Sequence, residues 1–345
     1  MLVDNETLAL RAAWHCVAHV DEIGHEPHQV WLLGQPWVLV RLNGSLAAFV
    51  DRCPHRLAPL SAGSVVAGDG RASGDELQCG YHGWRFNESG SGTAIPALGS
   101  AAVLPPRACL TPAFAVEERF GLVFLAPERP HAPLPEFTSW TDDTFLRAVC
   151  ETRRTPVSAA QLIDNFMDAA HFPFVHAATF GVEGAGEVDT PDIARSDTVV
   201  RTTFAAPYQN HDDPLVATGE HPLVQPHRVM KAGFANYICE LELTFEMTAG
   251  TFWILYACQP ERNGSTRVYK LIARNDLGHD PTRIDQVAKD EDVILMEDLR
   301  ILERYEHMSL DLDLTRELHT KADRLSVAWR RLIGSLVTSA SLDND

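Results

Sequence analysis

Between about residues 30 and 125 the apolar positions fall in short runs: Val30-Trp-Leu-Leu, Trp37-Val-Leu-Val-Arg-Leu, Leu46-Ala-Ala-Phe-Val and Gly121-Leu-Val-Phe-Leu. Runs of this length, bounded by turn-forming residues, predict strands rather than helices. Gly34-Gln-Pro36 and Asn43-Gly44 supply the turn chemistry between them. Four prolines between Ala126 and Pro135 mark a linker. The period then changes. Ser158 to Ala170 has helical spacing through Leu162, Phe166 and Ala169–Ala170, and strand-like segments follow at 198–205, 237–247, 252–258 and 266–273. Two further helices are predicted at roughly 285–305 and 314–337. The Pro-rich stretch 206–229 interrupts the strands and reads as an irregular segment covering a pocket. The fold class is therefore α+β, with an all-β domain at 1–125 and a larger domain of antiparallel sheet plus helices at 126–345. A chain of 345 residues also exceeds what one hydrophobic core usually supports.

Composition narrows the class without naming a function. The chain is 45% hydrophobic and 22% charged, with a formal net charge of -18 spread along its length. Such a surface disfavours nucleic acid and anionic membranes, both of which reward clustered Lys and Arg. No run approaches the roughly 18 apolar residues of a membrane span. The start, Met1-Leu-Val-Asp-Asn-Glu, lacks the basic and apolar regions of a secretory signal. Seven cysteines, an odd number in a long chain, argue against a disulfide framework and for a reducing cytoplasm. Cys16, Cys109, Cys150, Cys239 and Cys258 lie in apolar stretches and are expected to be inert core residues.

The other two cysteines carry chemistry. Cys53-Pro-His55 is followed, after 23 residues, by Cys79-Gly-Tyr-His82. Each half offers one thiolate and one imidazole. Thiolates suit one iron of a [2Fe–2S] cluster and imidazoles the other, an exchange that raises the reduction potential. Gly80 and Gly83 allow tight turns around these ligands. A Cys2His2 zinc site is the alternative that the donor types permit, although zinc fingers usually pair cysteines first and histidines second. Tyr81 and Trp84 are expected to pack beside the ligands. Arg52, Arg56 and Arg85 could rim the site for an acidic electron donor.

Asp51-Arg-Cys-Pro-His-Arg56 and Gln78-Cys-Gly-Tyr-His-Gly-Trp84 resemble the Rieske motif of ring-hydroxylating and demethylating oxygenases. A second signal lies downstream, in Asp164-Asn-Phe-Met-Asp168-Ala-Ala-His171-Phe-Pro-Phe-Val-His176. Pro173 cannot sit in an ordinary helix interior, so an irregular turn after His171 lets His176 swing back towards it. Two histidines and a carboxylate form a facial triad with open positions. This segment resembles the Asp-x-x-His-x-x-x-x-His pattern of the same oxygenases. By that resemblance the third ligand is Asp298 in Met296-Glu-Asp-Leu-Arg-Ile-Leu-Glu303, with Glu297 as its rival. Asp290, Glu291, Asp292 and Glu297 can equally be a charged helix face. Asp168 lies three positions before His171 and so can face the same region.

The resemblance implies a Rieske [2Fe–2S] domain followed by a helix-grip catalytic domain that holds a mononuclear Fe(II). It implies that Asp168 connects His171 of one chain with His82 of the partner subunit, which requires a ring, most simply a homotrimer, and that Asn165 lies near the iron. Because no Gly-rich dinucleotide motif occurs, electrons from NAD(P)H would arrive through a separate ferredoxin or reductase. The substrate would be a small, mostly apolar cyclic compound, hydroxylated or oxidatively demethylated with O2. The chain resembles the branch that holds the vanillate and dicamba demethylases and the steroid-hydroxylase-like monooxygenases. Ring cis-dihydroxylation is the alternative within the family, and an electron-transfer Rieske protein is the alternative outside it.

Overall fold

The computed structural model describes residues 1–68, 74–188, 192–278 and 280–342. The chain divides into two compact units, Arg11–His131 and a second made of Met1–Leu10 with Ala132–Asp345.

The first unit is built of short antiparallel strands, as the apolar runs predict. His28–Leu32, Gln35–Leu42 and Ser45–Val50 form one meander, and Ser64–Ala67, Asp75–Gln78, Arg85–Phe86 and Gly92–Ala94 form another. Val38, Val40, Leu42, Phe49, Leu60, Leu77, Phe86 and Leu110 make one core between them. A third sheet places Leu122–Ala126, buried along its whole length, between Ala115–Arg119 and His15–His19. A fully buried central strand explains the unbroken apolar run there.

The expected boundary at residue 125/126 differs from this division in two ways. The compact unit runs on to His131, and Met1–Leu10 packs with the later unit. The reason is local: Leu2–Val3 pairs with Leu310–Asp311. The Asn5 amide also donates to the Arg262 and Ser265 carbonyls, at 3.1 and 2.9 Å, and to Thr266 Oγ1 at 2.8 Å.

The second unit is an eight-stranded antiparallel sheet. Its path runs from Leu146–Val149 through Ser265–Arg274, Gly250–Arg262, Ile238–Phe245, Val224–Phe234 and Val199–Gln209 to Ile193–Arg195. Arg153–Thr155 also pairs with Ser265–Arg274. One face holds the long helix Pro281–Leu302, whose Ile284, Val287 and Ala288 pack on Val229, Leu243, Phe245, Phe252 and Ile272. That helix starts where Asp280 accepts a hydrogen bond from Thr282 N and Pro281 takes a first-turn position, both common start signals. The last helix spans Arg324–Leu342, later than the predicted 314–337, because Leu314–Arg316 forms only a separate turn capped by Asp313.

The stretch 206–229 is not irregular. Val199–Gln209 and Val224–Phe234 pair residue for residue, with Pro207 opposite Pro226, and only the short helix Pro214–Thr218 separates them. Two prolines facing each other leave no donor unpaired on either strand, so the pairing continues through them. Among the described residues, no helix is long and apolar enough to cross a membrane.

Candidate metal centres and substrate pocket

In the first unit two loops carry the Cys-His pairs. Cys53 N donates to Ala58 O and Leu57 N returns to Cys53 O, at 2.8 and 2.9 Å; Cys79 N and Gly83 N make the corresponding bonds with Trp84 O and Cys79 O, at 2.8 and 3.0 Å. Buried Asp51 anchors the first loop by accepting from Gln29 Nε2, Ser61 N and Ser61 Oγ at 2.6–2.8 Å. The loops approach so closely that a Cβ on Gly80 would strike the Ala62 carbonyl, and Gly83 turns through φ +70°. Both thiols are buried while both rings lie at the surface, His55 and His82 meeting at 4.4 Å between centroids. Trp84 stacks on His55 at 4.7 Å, as expected for a packing residue. Cys53 and Cys79 lie within hydrogen-bonding reach, and burial, with the second thiol adding to it, pushes Cys53 up to about 11.

The donor geometry distinguishes the metal groups. Among the described residues, three metal-ligating atoms gather within 4.8 Å of one another only at His171, His176 and Asp298. No three of Cys53, His55, Cys79 and His82 do so. A single tetrahedral zinc ion would need all four around one point. A sulfur pair set apart from an imidazole pair instead fits a two-iron cluster, one pair to each iron.

The second centre is assembled from a helix end, a single helical turn and the long helix. The helix Ala159–Met167, capped by Ser158, ends at Asp168 in an extended conformation. His171 and His176 then flank the single turn Phe172–Val175, with Pro173 in its first positions. Asp298 reaches the same point from the long helix, its Oδ1 3.5 Å from His171 Nε2 and 3.2 Å from His176 Nε2. Each imidazole is held from behind by a carboxylate: His171 Nδ1 by Asp168 Oδ2 at 2.7 Å, and His176 Nδ1 by Glu297 Oε2 at 2.8 Å. With Nδ1–H donated backwards, each Nε2 is free to bind metal. Glu297 thus stands behind His176, and Asp298 faces both rings. Asn165 Nδ2 donates to Asp298 Oδ1 at 3.3 Å.

Charge follows this geometry. Burial opposes ionisation of Asp168, but the hydrogen bond and charge of His171, with Lys231 beyond, lower it to about 2. Burial favours neutral His176, yet Asp298 and Glu297 outweigh it and raise its pKa. Lys231, 2% exposed, donates to the Phe166 and Asp168 carbonyls at 2.7 and 2.6 Å, closing the helix end that aims Asp168.

Above the triad lies an apolar pocket walled by Leu162, Phe172, Phe180, Leu243, Ile254 and Leu295, among others. Its polar wall was missed in the sequence. It is made by His227 and Lys231, which with Gln225 and Val229 alternate onto the buried face of one strand, a period-2 pattern present in the sequence. Of the cysteines expected in the core, Cys16, Cys150, Cys239 and Cys258 are buried, whereas Cys109 is exposed.

Residues 13–106 match the Rieske [2Fe-2S] domain, and residues 156–339 match the vanillate O-demethylase oxygenase C-terminal domain. The chain is 28% identical to methylxanthine N3-demethylase NdmB of Pseudomonas putida, over 98% of this chain and 92% of that protein. It is 27% identical to the vanillate O-demethylase oxygenase subunit of a Pseudomonas species, over 95% and 94%. The solved structure of Pseudomonas putida NdmA with caffeine superimposes with a TM-score of 0.81 at 23% identity, covering 97% of this chain and 93% of that one. Dicamba monooxygenase bound to dicamba gives 0.77 at 21%, covering 96% and 99%.

Proposed function

Because the chain belongs to the Rieske oxygenase family with a vanillate O-demethylase-type catalytic domain, we propose that it oxidatively removes a methyl group from a small cyclic substrate. The net change is R–CH3 bound through oxygen or nitrogen, plus O2, two electrons and two protons, giving R–H, formaldehyde and water. The electrons come from a separate reductase or ferredoxin. The observation that carries this reading is the triad of His171, His176 and Asp298 at the edge of an apolar pocket. We assign Cys53 and Cys79 to one iron of the cluster, His55 and His82 to the other, and the triad to Fe(II). The metal groups, when bound, supply electron transfer and reductive activation of O2.

Everything else is the work of the chain. Asp168 and Glu297 hold the two imidazoles in the metal-binding tautomer, and Asn165 orients the Asp298 carboxylate. The aliphatic and aromatic walls exclude water and place the methyl group next to the triad. The His171–Asp168 pair is part-buried, with side-chain exposures of 18% and 25%, and borders a separate open groove. Such a carboxylate, behind a ligand and partly open to solvent, suits a bridge to His82 of the partner subunit, and so a homotrimer. The acidic surface and reducing chemistry suit a cytoplasmic setting.

Anaerobic visible and EPR spectra during dithionite titration test the cluster: a red-brown protein with the low average g value of a His-ligated [2Fe–2S] centre is expected. A colourless, zinc-containing protein would end the oxygenase reading. His171→Ala should abolish formaldehyde release and leave the cluster spectrum intact.

A further inference from the structure

We propose that the pocket selects an uncharged ring compound carrying an N–H or O–H donor, which is received by the Nε2 lone pair of His227 with the Tyr208 hydroxyl beside it. The inference rests on the oxygenase reading and names the substrate class of that site.

Three observations carry it. The first is the tautomer of His227. Its Nδ1 lies 2.6 Å from the Ala206 carbonyl, which can only accept, so the ring proton sits on Nδ1 and Nε2 is a bare acceptor. The ring is 5% exposed, and burial lowers its pKa to about 4, so it is neutral at working pH. The second is Tyr208, whose ring meets His227 at 5.1 Å between centroids. Among the described residues its hydroxyl has no hydrogen-bond partner, and it lines the same pocket. Burial raises its pKa, so it stays a neutral donor. An acceptor and a donor side by side fit a lactam, amide or phenol edge. Tyr208 lies two ring contacts from the metal ligand His176, through Phe180 at 4.8 Å and then 5.8 Å further, and His227 lies one contact beyond it. A ring bound there can present a methyl group to the triad while its polar edge meets His227.

The third observation is that the cations lining the pocket are already engaged. Lys231 is spent on two carbonyls and the face of Phe172, 4.6 Å away. Lys270 is held by the Glu291 carboxylate at 3.0 Å and the Glu291 carbonyl at 2.8 Å. A substrate carboxylate would lose its hydration and meet no free positive side chain, a cost that an apolar pocket does not return. An uncharged amide avoids that cost.

The test uses the oxygenated, unreduced holoenzyme, whose cluster absorbance and iron content are measured on the same sample, so that a missing metal centre is read as failure of the oxygenase reading rather than of this proposal. Binding is followed by titration calorimetry with matched triplets: N-methylated heteroaromatic lactams and methoxybenzamides, the corresponding carboxylates, and the corresponding N-methylated or ester forms that lack a donor. The uncharged donor-bearing members should bind at least about tenfold more tightly than both counterparts, the effect of one hydrogen bond in a buried site. His227→Phe should remove the advantage over the donor-free forms and leave that over the carboxylates. His227→Gln, which restores an acceptor, should recover part of it, and Tyr208→Phe should weaken the lactams and amides. With cluster and iron intact, carboxylates binding as tightly as their neutral partners overturn the proposal. So does an unchanged donor preference in His227→Phe, or an absence of binding by every uncharged member.

Discussion

Two adjacent carboxylates on the long helix make opposite predictions about iron. Asp298 Oδ1 faces the Nε2 atoms of both histidines, whereas Glu297 Oε2 accepts from His176 Nδ1 at 2.8 Å and from Thr179 Oγ1 at 2.9 Å. Replacing Asp298 by Asn takes a charged ligand from a three-ligand site, and the mononuclear iron should be lost on dialysis. Replacing Glu297 by Gln leaves all three ligands but weakens their support. Loss of such a supporting carboxylate typically lowers metal affinity by about 10–100-fold, or roughly 1.4–2.8 kcal/mol. Glu297→Ala should cost more in folding, because Glu297 is 5% exposed and the Nδ1–H of buried His176 would be left unpaired, whereas Thr179 keeps the His176 carbonyl as acceptor. About 1–3 kcal/mol for that unpaired donor is the expected scale. Iron is measured by mass spectrometry after dialysis against graded chelator, with the cluster's share subtracted from its visible absorbance. Glu297→Gln should hold iron at low chelator and release it earlier than the wild type. If Asp298→Asn retains its iron while Glu297→Gln loses it outright, the ligand assignment is reversed.

Lys231 gives a pH signature. Burial lowers its pKa from 10.5 to about 8, so between those values the unfolded chain holds a proton that the native state has given up, and stability rises with pH in that window by on the order of 3 kcal/mol. Urea midpoints of the wild type and Lys231→Met should diverge from pH 8 to 10; parallel curves would refute the shift. Arg330 grips Asp164 with two bonds of 2.7 Å, so Arg330→Ala leaves a part-buried carboxylate without its partner and should cost about 1–3 kcal/mol, read as a lower thermal midpoint that Asp164→Asn partly restores. Gly80→Ala should reduce cluster loading, since the new Cβ meets the Ala62 carbonyl; normal absorbance per chain would show that the loops can part.

The local signals in this chain were self-sufficient. Short apolar runs set the strands of the first unit, Cys53-x-His55 and Cys79-x-x-His82 placed the paired donors on two turns, and Pro173 announced the break between His171 and His176. These depend on neighbours a few residues away, so spacing alone carries them. The choice between Glu297 and Asp298 did not: adjacent residues on a helix point about 100° apart, and only the packed helix decides which one faces the histidines. Asn5 joining the catalytic unit through contacts some 257 residues away is equally invisible in sequence. The polar wall of the pocket lies between these cases. The alternation of Gln225, His227, Val229 and Lys231 was present in the chain, but prolines at 207 and 226 argued against a strand until antiparallel pairing set them opposite each other. Periodicity and spacing report on the chain's neighbours in sequence; ligand choice and pocket polarity depend on which distant elements meet, and burial and pairing settle that only in the folded protein.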